Sequence, residues 1–214
     1  MKVWDPLNGR EILNLRGHTF ASHSLAFRPE GDQLASAGGD QTIRLWNATR
    51  LKGDEGPESL NCEHEHEVWS VDYNPDWREI VSATWNGTLR LWNAADGTQS
   101  RTLTFGDVQS IFRAVFSPDG TRIAAATVSR DRMAAVKVWE AATGGDLLSF
   151  RDKGVFFSVA YDRTGRYLIR EGPQHTVQVR DANTGQVLGV RWPARRTNLG
   201  DCFEPGWRSS RYRK

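Results

Sequence analysis

Tryptophan recurs along this chain in nearly the same words. "KVWDPLNG" carries Trp4, "IRLWNATR" Trp46, "LRLWNAADG" Trp92 and "VKVWEAATG" Trp139; "VQVRDANTG" continues the series with Arg180 in the tryptophan's place. Successive phrases lie 42, 46, 47 and 41 residues apart. Each later phrase is preceded by a second one: "LAFRPEGDQLASA", "VDYNPDWREIVSA", "AVFSPDGTRIAAA" or "VAYDRTGRYLIRE". The second phrases read as two short strands joined by a Pro/Asp/Gly turn. After each tryptophan phrase comes a turn and one more strand, as in "NGREILNL" and "TGQVLGV".

Four short strands in every 41 to 47 residues predict an all-β chain built of β-propeller blades. Over roughly residues 1–190 the repeat resembles the WD40 family: Gly17-His18, the turn from Phe27 to Gly31, Asp40 and Leu45-Trp46 all stand in family register. The "FSPDG" and "AATG" turns are similar in style to bacterial WD40 arrays, which often follow a Ser/Thr kinase domain. No kinase signature occurs in this chain. The resemblance implies an incomplete WD40-type β-propeller of about four blades plus a leading half-blade. Residues 1–16 would be the trailing strands of a preceding blade; 17–62, 63–106 and 107–151 three blades; 152–190 a divergent fourth; 191–214 a basic tail.

His18, Ser36 and Asp40 invite a hydrolase reading, but no "G-x-S-x-G" elbow exposes Ser36. The family resemblance implies instead that they form, with Trp46, a buried hydrogen-bonded tetrad stapling the strands of a blade. The second blade matches with His64, Ser82, Asn86 and Trp92, asparagine replacing aspartate. The third keeps Trp139, but has Asp107 and Ala125 at the histidine and serine positions. In the fourth, Asp152, Arg170, Gln174 and Arg180 occupy the four positions, so nothing of the tetrad's chemistry is expected there and this blade is expected to be the loosest. No catalytic residue is assigned.

"NCEHEHEVWS" packs Cys62, His64, His66 and three glutamates into a short run, all possible zinc ligands by type. His64 stands nine residues before Tyr73, as His18 stands nine before Phe27, so the repeat already accounts for it. No metal and no cofactor is therefore expected.

Propellers of this family mostly bind other proteins on the face carrying the loops before each first strand. Five residues after the histidine position stand His23, Trp69, Phe112 and Phe157; one before the aspartate position stand Gly39, Trp85, Arg130 and Pro173. Aromatics and arginine are typical interface anchors. His23, Trp69, Phe112, Phe157, Trp85 and Arg130 are thus the candidate protein-binding residues. The alternative is that the first four merely pack between adjacent blades, alternating with Leu25, Val71, Ala114 and Val159. Trp85 stands in a turn beside Asn86-Gly87, where no core demands a large aromatic.

With 214 residues, 28 basic and 26 acidic side chains and two cysteines, the chain fits a reduced, cytoplasmic setting. It has no apolar run of membrane-spanning length and no signal-peptide core. The +2 net charge resolves into +5 over residues 191–214 and −3 over the rest, so any case for nucleic acid rests on the tail. That tail has no repeat pattern where another blade is due. Read one nucleotide forward from Trp192 with permitted codons, it becomes "GRHDERIWAIALSPDGDRLGTA". The histidine then lies 14 codons beyond Arg180, as His18 lies 14 residues beyond Trp4. The expectation is a frameshifted blade with no function of its own, which makes nucleic-acid binding unlikely; a basic tail for nucleic acid or acidic protein is the rival. A chain of this length would need further blades or self-association to close a ring. The expected function is a non-catalytic scaffold for other proteins, a fragment of a longer signalling protein. The alternative is a regulatory propeller of a bacterial Ser/Thr kinase whose catalytic domain lies outside this chain.

Overall fold

The computed structural model describes residues 1–48, 59–106, 110–128, 133–153, 156–172 and 176–193. Among them every regular element is a strand. β1 (Lys2–Trp4) and β2 (Glu11–Asn14) pair as a two-stranded sheet. Four antiparallel sheets of four strands follow in chain order. The first is β3 (Ser22–Phe27), β4 (Gln33–Gly38), β5 (Thr42–Asn47) and β6 (Ser59–Glu63). The second is β7 (Val68–Tyr73), β8 (Glu79–Thr84), β9 (Thr88–Asn93) and β10 (Gln99–Thr104). The third is β11 (Ser110–Phe116), β12 (Arg122–Val128), β13 (Met133–Glu140) and β14 (Asp146–Lys153). The fourth is β15 (Val159–Tyr161), β16 (Tyr167–Gly172), β17 (Thr176–Asp181) and β18 (Val187–Pro193). Each is a meander, as consecutive short strands joined by tight turns dictate.

The sheets stack as propeller blades, and the core is divided among the gaps between them. Ala35, Ala37, Ile43 and Leu45 of the first sheet pack on Val71, Tyr73, Ile80 and Trp92 of the second. Val81, Leu89 and Leu91 meet Ile111, Phe116 and Trp139 in the next gap, and Val136 and Val138 meet Val159 and Leu168 in the last. The second strands supply alanine at the contacts (Ala35, Ala37, Ala83, Ala124, Ala126), which lets neighbouring sheets approach closely. Alternation places these residues: in β9 Leu89 and Leu91 point into one gap while Trp92 points into the other.

Side chains also stitch the innermost strands together. Ser24 Oγ accepts the Val71 N–H at 3.3 Å, and Ser70 Oγ accepts the Ala114 N–H at 3.2 Å. Asp72 Oδ2 accepts the Phe116 N–H at 2.9 Å. Each bond hands a backbone group of one blade to the blade before it, satisfying donors that the sheets themselves leave over. β1–β2 pack Met1, Val3 and Leu13 against Leu34 and Trp46 of the first sheet. Among the described residues no strand of the fourth sheet pairs with β1 or β2.

Candidate functional site

The expected tetrads can be traced bond by bond. His18 Nδ1 lies 2.9 Å from both carboxylate oxygens of Asp40, and its Nε2 lies 2.7 Å from Ser36 Oγ, which accepts the Trp46 indole N–H at 2.8 Å. One proton arrangement satisfies all of it: Nδ1–H donates to Asp40, Ser36 O–H donates to Nε2, and Trp46 donates to Ser36. Burial works against ionisation of Asp40, but hydrogen bonds from the Thr19 N–H, His18 and Thr42 outweigh it and hold the carboxyl below its usual range. Ser36 is fully buried with its oxygen committed on both sides, which leaves no room for an attacked carbonyl.

The second tetrad is incomplete. Trp92 Nε1 donates to Ser82 Oγ at 2.8 Å, and Ser82 lies 3.2 Å from His64 Nε2. Asn86 does not join them. Its Oδ1 accepts the Thr84 hydroxyl at 2.6 Å, and buried His64 Nδ1 has no hydrogen-bond partner. Burial, with the Arg90 charge adding to it, pushes the His64 pKa down to about 3, so the ring is neutral at physiological pH. In the third sheet Ala125 and Trp139 are buried in the gap toward the second sheet, and Asp107 lies outside the described residues.

The fourth sheet has none of the tetrad's own residues, yet three of its tetrad positions are linked by a different chemistry. Asp152, Arg170 and Arg180 stand where histidine, serine and tryptophan stand in the first sheet, and all three meet. Both guanidiniums donate to Asp152 Oδ2, Arg180 at 2.6 Å, and both reach Gln178. Arg170 also lies 3.7 Å over the Phe156 ring, and Arg180 lies 4.2 Å over that of Phe150. The β16–β17 register brings Arg170 and Arg180 near each other, and Asp152 reaches them from β14 at the end of the third sheet; long arginines then span the gap that a serine and an indole would have filled. Gln174 lies outside the described residues.

Of the zinc-ligand candidates, Cys62 is buried with Sγ 3.6 Å from the Gly97 carbonyl, and burial together with Asp96 raises its thiol to about 11. His64 is turned into the tetrad and His66 is exposed. Among the described residues no three His, Cys, Asp or Glu side chains converge on a point.

The docking candidates converge. His23 stacks on Trp69 with centroids 4.4 Å apart and planes 4° from parallel. Trp69 contacts Trp85 and Phe112, each at 5.6 Å; Trp85 meets Phe112 at 6.0 Å; and Phe112 meets Phe157 at 4.9 Å. Five rings from four sheets thus form one unbroken row on the face that carries the loops before each first strand. Trp69 and Phe112 are half-buried between neighbours, as the packing alternative had it, while Trp85 and Phe157 stay 42% and 56% exposed. Arg130 lies outside the described residues.

A backbone device that simple alternation does not reveal aims three of these rings. Ser22 pairs with Gly38 and Ser24 with Ala37, so His23 is one residue too many for its partner strand. Trp69, between Val68 and Ser70, and Phe112, between Ile111 and Arg113, are extra residues in the same way. A bulge breaks the in–out alternation at its own position, so an aromatic there tilts toward the rim, where Trp69 and Phe112 remain half-buried against their neighbours. Its sequence signal is two consecutive large residues where alternation allows one, as in Val68-Trp69 and Ile111-Phe112.

The family model described as WD domain, G-beta repeat matches residues 9–47 and 58–93. Those two stretches match the WD40 repeat. The human WD repeat and SOCS box-containing protein 1 is 37% identical over 71 residues, covering 33% of this chain and 16% of that protein. Nuclear distribution protein PAC1-2 of Uncinocarpus reesii is 34% identical over 71 residues, again 33% of this chain and 16% of the relative. Lissencephaly-1 homolog 1 of Paramecium tetraurelia is 34% identical over 69 residues, 29% and 17% of the two chains. The chain thus spans about a sixth of the length of these curated relatives. The two matched stretches contribute three of the five rings in the row: His23, Trp69 and Trp85.

Proposed function

We propose that this chain is a non-catalytic WD40 scaffold whose loop face docks another protein through the aromatic row. The observation that carries the reading is the row itself: five ring-to-ring contacts across four sheets, ending in side chains the fold has no need to expose. Contiguous exposed aromatics of this kind mark interaction surfaces. The burial of Ser36 and its bonds to His18 and Trp46 support the non-catalytic part. The setting we favour is the cytoplasm. Photo-crosslinking tests the reading, with the reactive group placed at Trp85 or Phe157 and, as control, at exposed Arg163 on the opposite end of the blades. A partner crosslinked from the row but not from Arg163 is the expected result; equal crosslinking from both ends rules the row out.

A further step of the same proposal is a longer bacterial signalling protein in which the repeats regulate a Ser/Thr kinase domain. Its support is the style of the "FSPDG" and "AATG" turns. Kinase sequence in the same reading frame is the expected finding, and a gene without it removes that step while leaving the docking face intact.

A further inference from the structure

Asparagine followed by glycine occurs twice in the chain, as Asn8-Gly9 and Asn86-Gly87, and both asparagines stand exposed in turns. The dipeptide is chemically labile, because glycine has no side chain to shield its nitrogen from the asparagine Cγ beside it. The fold holds the two copies in different states. Asn8 is clamped at both ends of its amide: Nδ2 donates to Asp5 Oδ2 at 2.6 Å, and Oδ1 accepts the Arg10 N–H at 2.9 Å. The Gly9 N–H donates to the Asp5 carbonyl at 2.8 Å. Asn86 is held through its oxygen by a neutral group, the Thr84 hydroxyl at 2.6 Å, and the Gly87 N–H reaches the Thr84 carbonyl at a longer 3.2 Å.

We propose that Asn86 is a site of spontaneous deamidation, and that the aspartate it yields completes the hydrogen-bonded group of His64, Ser82 and Trp92. The reaction needs only water. Hydroxide takes the Gly87 amide proton, and the nitrogen attacks Asn86 Cγ. The new C–N bond closes a succinimide ring; the side-chain nitrogen leaves as ammonia with a proton from water, which returns the hydroxide. Water then opens the ring. Addition at the side-chain carbonyl gives aspartate, and addition at the main-chain carbonyl gives isoaspartate. The Thr84 hydroxyl favours the first step, because it points at Oδ1, where negative charge gathers as Cγ becomes tetrahedral. At Asn8 the contacts oppose that step: the Asp5 carboxylate disfavours an anion on the neighbouring nitrogen and grips the amide group that must leave. The product at position 86 fits what surrounds it. Asn86 and Asp40 each stand four residues beyond the serine that takes the tryptophan N–H. Asp40 there bonds His18 Nδ1, whereas His64 Nδ1 is buried without a partner while Asn86 turns to Thr84. A carboxylate at this position bonds that nitrogen and offsets the nearby Arg90 charge that acts on the His64 ring.

The test incubates the folded full chain at mildly alkaline pH and follows tryptic peptides 3–10 and 79–90 by mass spectrometry. Conversion at Asn86 is expected to run about tenfold faster than at Asn8, the barrier difference that one charge-assisted hydrogen bond makes. In an Asp5→Ala chain the clamp on Asn8 is gone, and its conversion is expected to approach that of Asn86. The aspartate form of the aged protein, separated from the isoaspartate form by chromatography, is then titrated by NMR. Its His64 ring, held at about 3 in the fresh protein, is expected to take up its proton at clearly higher pH. Conversion at Asn86 that is no faster than at Asn8 in the folded chain overturns the deamidation site. An aspartate form whose His64 still titrates as in the fresh protein overturns the completed group.

Discussion

Asn86→Asp places a carboxylate where Asp40 stands in the first repeat, within reach of a histidine nitrogen that is buried without a partner. The expected result is a gain of roughly 1–2 kcal/mol in unfolding free energy, the usual difference between a satisfied buried donor and an orphaned one. Thermal or urea melts of the two proteins check it. The change also predicts a higher His64 pKa, because the new carboxylate favours the charged ring. In the protein as it stands His64 is held near 3 against an ordinary 6.5, so its contribution to stability is complete above pH 6.5 and is lost as pH falls toward 3. Asp72 works the other way. Burial raises its carboxyl from 3.8 to about 6, so between pH 6 and 3.8 the folded chain holds a proton that the unfolded chain lacks, and acidification favours folding. The two slopes oppose over that interval, and the pair alone gives a nearly flat profile. Asp72→Asn removes the compensating slope while an amide oxygen can still accept the Phe116 N–H. Stability of that variant is expected to fall by about 1.4 kcal/mol per pH unit below pH 6, measured by urea unfolding at stepped pH. A variant whose stability stays flat below pH 6 would mean that His64 is not the buried neutral ring described above, and a profile that falls equally in both proteins would mean that Asp72 supplies no opposing slope.

The fourth sheet is held together differently from the first two. Its third strand, β17, is half-buried at five of six positions, whereas β5 and β9 each bury three. It is held instead by two arginines converging on Asp152, whose side chain is 35% exposed. Asp152→Ala leaves both guanidiniums without their anion. The expected loss is roughly 2–3 kcal/mol, below the 3–5 kcal/mol of a fully buried pair because solvent reaches the carboxylate. Replacing Asp152, Arg170 and Arg180 together by His, Ser and Trp is expected to cost less than the single change, since no charge is then stranded. Chemical unfolding of the single and triple variants separates these outcomes. Strand order and the positions of the rings were legible in the sequence because a repeated unit multiplies a weak local signal several-fold. His64 was legible as a tetrad member for the same reason. The arginine network was not: register conserves positions, and only coordinates show that a different chemistry has been fitted to them. Nor were the bulges at Trp69 and Phe112, because a simple alternation pattern treats one extra residue as noise. Asn86 reads as a substitute for Asp40, yet its amide finds Thr84 nearer than His64.

At the scale of the whole molecule, the core lies between sheets and not within them, so each blade's stability is set by how many of its two faces are covered. The second and third sheets are covered on both sides, by the gaps that hold Val71 and Tyr73, Ile111 and Phe116, and Val138 and Val159. The first sheet is covered in front only over Leu34 and Trp46, leaving Leu25 and Phe27 in solvent. The fourth has its leading face covered but relies on ion pairs in place of the indole staple. β1 and β2 have four residues or fewer each and one covered face. Native-state hydrogen exchange is therefore expected to rank the array, with β8, β9, β12 and β13 slowest, the first and fourth sheets faster, and β1–β2 fastest. Nearest-neighbour coupling adds a sharper requirement. Leu89→Ala opens a cavity in the gap between the second and third sheets and removes about 2–5 kcal/mol there. Exchange should accelerate in those two sheets together, while β1–β2, coupled only to the first sheet, should change least. Uniform acceleration along the chain would instead show one cooperative unit, in which the uncovered front of the first sheet weakens every blade alike.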